Sequence, residues 1–215
     1  MLHEILLSLS GHPSPLLTTT ATSASSPLIL SPPERALLAS VAHLTDLHCK
    51  LLVRTDEITS THPSCICQAV ALSIRSTHLA KFQQKVLEVE NGILQKDPGR
   101  VGAYNIVPLT AIVGEFSEWT RRMEWFWELT QFMMKEGCTG AQIIDNLRES
   151  VQTGYSDIED VALHLVKVAE TAWLKQASAW ILYGRLPFSG RGDFFIHGAE
   201  NDDTLVCLLL YHLAH

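Results

Sequence analysis

The residues with the plainest capacity for chemistry lie in "HPSCIC", where His62, Cys65 and Cys67 are close together and His78 follows. Imidazole and thiolate ligands at short spacing are what a zinc ion takes, normally with a second pair further along the chain. No second Cys or His pair answers this one. On a regular helix, residues two apart point about 200° from each other, so Cys65 and Cys67 would not face one ion. The stretch reads as structural cysteines, and neither metal nor cofactor is expected.

The other reactive residue types are scattered. His43, His48, His164, His197, His212 and His215 stand in no zinc-protease motif, although His212 and His215 share a possible helical face. No serine sits in a Gly-x-Ser-x-Gly elbow and no glycine-rich loop precedes Lys-Ser or Lys-Thr. "DIED" (Asp157 to Asp160) places acids in a first helical turn, where the helix dipole favours them without general acid–base work. Arg191-Gly192-Asp193 reads as a turn. Nothing in this inventory points to an enzyme.

Composition sets the frame. Of 215 residues, 47% are hydrophobic and 18% charged, which supplies a large core and excludes a wholly disordered chain. The formal net charge of −7 argues against a duplex nucleic-acid binder. Five cysteines at irregular spacing suggest no disulfide framework and fit a reducing compartment. "MLHEILLSLSGH" lacks the basic start of a signal peptide. The longest apolar run, "LVCLLLYHLA", is about half the roughly 20 residues of a spanning helix. No membrane partner is expected.

The elements that would carry these residues are helical. Leu2, Ile5, Leu6 and Leu9 mark a short amphipathic helix over residues 1–10, followed by a Ser/Thr/Pro-rich loop over 14–33. A second helix spans 34–58 with an apolar stripe of Leu37, Val41, Leu44, Leu51 and Ile58. A third spans 64–96, with Leu72, Leu79, Phe82, Val86, Val89 and Ile93 on one face. The fourth has the strictest pattern: Leu109, Ile112, Phe116, Trp119, Met123, Phe126, Thr130 and Met133 alternate by three and four, a heptad-like seam. Thr139 and Gln142 offer a capping box for a fifth helix over 140–152. Ser156 and Glu159 offer another for a sixth over 156–183, which Gly184 and Pro187 end. "DFFI", from Asp193, is a candidate extended piece. The expected fold class is all-α, an elongated bundle of long antiparallel helices.

The fourth helix presents a second face. Trp125 and Phe132 lie a heptad apart among Glu118, Arg121, Arg122 and Glu128. Aromatics among charges suit an interface anchor, with Trp125, Phe132, Arg121 and Arg122 as candidate partner-contact residues. The competing reading is that a neighbouring helix of the same domain covers them.

Two stretches resemble one family. "MLHEILLSLSGHPSP" is similar to the opening of the gamma-tubulin complex component family, most closely its fourth component. Residues 137–186, from "GCTGAQIIDNL" to "AWILYGRL", resemble the end of that family's N-terminal domain, with "GDFFI" following. Gln176, Ser178, Ala179, Trp180, Gly184, Leu186, Phe194, Phe195 and Ile196 fall on its pattern. Ala177 stands where Leu is usual, and Asp193 where an acidic residue belongs.

The resemblance covers residues 1–196 and leaves 197–215 as a tail without it. Set against the resemblance, these residues are expected to lack the family's C-terminal gamma-tubulin-binding domain. The resemblance implies a non-enzymatic scaffold subunit, or N-terminal fragment of one, making lateral contacts with other gamma-tubulin complex components in microtubule nucleation. It implies gamma-tubulin as an indirect partner. It places the chain in the cytoplasm, on the cytoskeleton, at a microtubule organising centre or spindle pole. The alternative is a helical adaptor for another cytoskeletal or trafficking partner.

Overall fold

A computed structural model describes residues 2–12, 14, 31–95, 107–185 and 190–194. Among them the elements are α1 (Leu2–Leu9), α2 (Pro32–Thr61), α3 (Cys65–Ser73), a π-helical stretch (Ile74–Leu79), α4 (Ala80–Leu94), α5 (Leu109–Met133), α6 (Gly140–Val151), α7 (Ser156–Tyr183) and a 3-10 turn (Arg191–Asp193). No strand occurs among the described residues, so the all-α expectation holds. The chain forms two compact units. Unit 1 takes residues Met1–Glu57 and Leu72–Phe132; unit 2 takes Ile58–Ala71 and Met133–His215.

Unit 1 is organised by aromatic burial. Phe82 of α4 is fully buried, with ring centroids of His48, Trp119 and Phe116 at 5.0, 5.2 and 5.8 Å. Edge-to-face and tilted rings at these distances add to the burial of their area. The α5 seam holds: Ile112, Phe116, Met123, Phe126, Thr130 and Met133 are buried, while Leu109 and Trp119 are half-buried. Ile5, Leu6 and Leu9 bury the apolar face of α1, which packs on α4.

Helix α2 starts earlier than its periodicity indicates. Glu34 accepts hydrogen bonds from the Ser31 backbone N–H at 2.9 Å and its hydroxyl at 2.8 Å, so the turn begins at Pro32. Two prolines in a first turn forfeit only N–H groups that lack helical partners anyway. By length and composition α2 is apolar enough to cross a membrane. Its stripe of Leu38, Val41, Leu44, Leu47 and Leu51 is buried, and Asp46 and Lys50 pair at 2.6 Å on the exposed side. Leu38, not Leu37, occupies the first core position.

Two local expectations are corrected. Leu72 is exposed rather than on the core face with Leu79. The π-helical stretch between them inserts an extra residue into the turn and rotates the stripe by about 100°, so that Ala71 is buried instead. Helix α7 is not opened by a Ser156–Glu159 box. Its N-cap is Tyr155, which makes no side-chain cap, and the preceding Gly154 turns the chain at φ 77°. The Thr139–Gln142 box does open α6, with Gln142 Oε1 accepting from the Thr139 N–H at 3.2 Å.

His48 is buried against Phe82, and neither ring nitrogen has a sound hydrogen bond. Loss of solvent pushes its pKa down to about 4; the nearby Leu9 backbone offsets this only in part. As pH falls from 6.5 towards 4 the unfolded chain binds this proton and the folded chain does not, so stability falls across that window and levels below it. Between pH 7.5 and 5 the loss from this group is about 2 kcal/mol. His48→Phe should flatten this part of the pH dependence, measured as urea midpoints at the two pH values. An unchanged slope would show that the ring is not desolvated in solution.

Candidate functional site

The densest set of buried polar contacts lies in unit 2, around Asp193. The 3-10 turn delivers this side chain, its own N–H bonded to the Gly190 carbonyl at 3.0 Å. The residue is 9% exposed. Its Oδ1 accepts from the Gly140 N–H at 2.7 Å. Its Oδ2 accepts from the Ser64 hydroxyl at 2.7 Å and the Ile66 N–H at 3.3 Å. Ser64 in turn accepts from the Cys67 N–H at 3.1 Å as the N-cap of α3. One carboxylate thus serves the starts of both α3 and α6. Helix N-termini present unpaired N–H groups and a partial positive charge, to which a carboxylate is complementary. Burying a carboxylate is costly, and charge-assisted bonds from three donors offset that cost.

His62 joins helix ends in the same way. Its Nδ1 accepts from the Ser64 N–H at 3.0 Å. The hydrogen therefore sits on Nε2, which donates to the Met133 carbonyl at 3.0 Å, at the C-terminus of α5. Gln68 Nε2 donates to the His62 carbonyl at 2.7 Å. Two glycines permit the approach. A Cβ on Gly140 would lie 2.5 Å from Ile66 Cδ1 and 2.8 Å from Asp193 Oδ1. Gly190, at φ 74°, would place one 2.9 Å from Cys65 Sγ. Next to Asp193, Phe194 is buried with its ring 5.8 Å from Trp180 of α7, in a T-shaped pair.

The residues expected to matter fall as follows. Both nitrogens of His62 are committed to backbone groups. Cys65 is half-buried against Gly190. Cys67 is fully buried, and burial pushes its thiol up to about 12, far from the thiolate that binds metal. His78 stacks on Phe126 at 5.3 Å in unit 1. Among the described residues no three His, Cys, Asp or Glu side chains group as a metal site. His164 lines an open groove of about 570 Å³ along α7 with Cys65, Ala69, Lys167 and Lys175. Asp157 and Glu159 lie in the first turn of α7 as expected. Residues His197, His212 and His215, and the end of "DFFI", lie outside the described residues; Asp193 itself ends a 3-10 turn rather than starting an extended piece.

On α5, Trp125 and Phe132 are half-buried, Arg121 is exposed and Arg122 is half-buried. Arg122 stacks over Trp119 at 5.4 Å, and its Nε is buried without a hydrogen bond. Trp127, which sequence reasoning passed over, lies under the cations of Arg54 and Lys50 at 5.6 and 6.0 Å. The role of Asp193 was also missed. Its signal is an acid placed between a glycine and two phenylalanines, where a solvated turn has no need of aromatics.

These features define an all-helical structural domain whose buried polar groups join helix ends. Residues 2–206 match the family model described as gamma tubulin complex component N-terminal. The chain belongs to the gamma-tubulin complex component family through this domain. No curated protein matches it significantly. Membership ties the chain to gamma-tubulin complexes, microtubule nucleation and the cytoskeleton, in a family of structural components rather than enzymes.

Two substitutions test the junction. Asp193→Ala leaves the Gly140 and Ile66 N–H groups and the Ser64 hydroxyl without their acceptor, and should cost about 3 kcal/mol or more. Gly140→Ala should cost about 1–3 kcal/mol by overpacking against Ile66. Urea denaturation reads both. An Asp193→Ala protein within about 0.5 kcal/mol of wild type would mean that the carboxylate is not buried as described.

Proposed function

We propose that the chain acts as a non-enzymatic scaffold subunit of the gamma-tubulin complex, through lateral contacts with other gamma-tubulin complex components. The family match over residues 2–206 carries this reading. The opening sequence adds that the relevant member is the fourth component. Gamma-tubulin is reached indirectly, and the site of action is the microtubule organising centre, including the spindle pole. The mechanism is geometric: helical domains set side by side fix the spacing at which gamma-tubulins are presented. Capped, well-packed helices support such a role because they hold surface residues at fixed positions. The exposed apolar side chains of Leu174, Ile181 and Leu182 on α7 also support a domain that lies against other protein.

The contact face proposed is on α5, around Trp125, Phe132, Arg121 and Arg122. Half-buried aromatics beside arginines have the composition of interface anchors. Purified chain should co-purify with other gamma-tubulin complex components in pull-downs. Trp125→Ala combined with Arg121→Glu should weaken capture at least tenfold while leaving the melting temperature within a few degrees. Wild-type chain that captures no component would defeat the scaffold reading. Full capture by the double variant would defeat only the choice of face.

A further inference from the structure

We propose that residues 200–213 of this chain bind in the open groove between α3 and α7, their acids against its lysines and their leucines against its apolar floor. The proposal goes beyond the scaffold reading and does not rest on it. Both walls of the groove belong to unit 2, and its volume is about 570 Å³. Ala69 of α3 and Val168 and Ala172 of α7 supply the floor. All three are half-buried, and their short side chains let a second backbone approach closely. His164, Lys167 and Lys175 stand along the α7 side. Both lysines are exposed, and neither pairs with an acid among the described residues. No acid lines the groove among the described residues. Lysine stems cover apolar surface and leave the ammonium groups at the rim. The groove therefore fits an amphipathic segment that carries acids beside an apolar face.

The sequence that follows the described residues has this composition. Glu200, Asp202 and Asp203 precede an apolar run from Leu205 to Leu213. Within it Val206, Leu209, Leu210 and Leu213 take the i, i+3, i+4, i+7 spacing of one helical face. The chain also sets out from the edge of the groove. Gly190 lies against Cys65, a lining residue, and the Phe194 ring is 5.8 Å from Trp180, one turn beyond Gln176 at the groove's end. Residues 195–199, when extended, span about 17 Å, whereas Lys175 lies only about 8 Å along the helix from Trp180. A course antiparallel to α7 brings the acids to Lys175 first and carries the apolar face over Ala172 and Val168 towards Lys167. The lengths agree, since α7 rises about 18 Å from His164 to Gln176 and a helix over 204–214 would rise about 16 Å. Gln176 adds a further contact. Its Oε1 is buried without a donor, and an arriving N–H would supply one. A short tether holds the segment at a high local concentration, so weak contacts are enough to seat it.

The test treats the full chain with a carbodiimide, which joins a lysine amine to a carboxylate in contact with it, and maps the links by mass spectrometry. Light and heavy-nitrogen-labelled chains are mixed beforehand, so that links within one chain are told from links between two. The expected result is Lys175 or Lys167 joined to Glu200, Asp202 or Asp203 within one chain. The Lys85–Glu115 pair, 3.0 Å apart, is the internal control. Lys167→Glu with Lys175→Glu should speed hydrogen exchange over residues 204–213 about fivefold or more and leave α6 unchanged. Adding Glu200→Lys, Asp202→Lys and Asp203→Lys to that variant should restore the slow exchange. A Lys85–Glu115 link without any link from either groove lysine to these acids would overturn the proposal, and so would exchange that the lysine reversal leaves unchanged. Links found only between light and heavy chains would assign the groove to a second copy. Protection of α7 that appears only on adding another gamma-tubulin complex component would assign it to a partner. Either of these results also overturns binding by the chain's own segment.

Discussion

A carboxylate set between two helix N-termini is the contact on which unit 2 depends. Asp193 arrives from a turn far along the chain and accepts from the first turns of α3 and α6 together. Everything near it follows from that geometry. Ser64 must be a hydroxyl, because it donates to the carboxylate and accepts from Cys67. Gly140 must lack a side chain, because Ile66 and Asp193 occupy the space. Phe194, the next residue, buries its ring on Trp180 and so fixes the turn against α7. A solvent-exposed acid would contribute little here; a buried one is committed to its donors, since leaving it unpaired would cost several kcal/mol.

Unit 1 rests on different physics. Its centre is apolar, with Phe82 among His48, Phe116 and Trp119. The helices there are held by area removed from water and by ring packing, neither of which demands a particular donor or acceptor. His48 is the exception. It behaves as an aromatic core residue with a latent charge, held neutral by its surroundings. The π-helical stretch between α3 and α4 lets one continuous helix change its buried face along its length.

These two kinds of interior have a common result. Side chains with chemical potential are turned inward: His62 to two backbone groups, Cys67 into the core, Asp193 to helix N-termini. The side chains left at or near the surface are those on helix faces, such as the α5 aromatics and their arginines, which we propose as a contact face. Their positions are only as exact as the helices beneath them, and for that reason caps and junctions matter to a domain of this family.

Helices, their order and much of the core were legible from sequence, because periodicity reports which face of a helix is buried and local capping chemistry reports where it starts. The α5 seam and the Thr139–Gln142 box follow from residues within a few turns of each other. The family, too, could be read from ordered motifs at the two ends of the chain. What local pattern could not reveal depends on contacts between distant residues. The phase shift that exposes Leu72 arises from a π turn with no distinctive residue to announce it. The pairing of Asp193 with Ser64 and Gly140 spans more than fifty residues of chain. "RGD" looked like a turn and is one. Only the fold brings two helix N-termini to that turn, and the electrostatics of their unpaired N–H groups make its acid the centre of the unit.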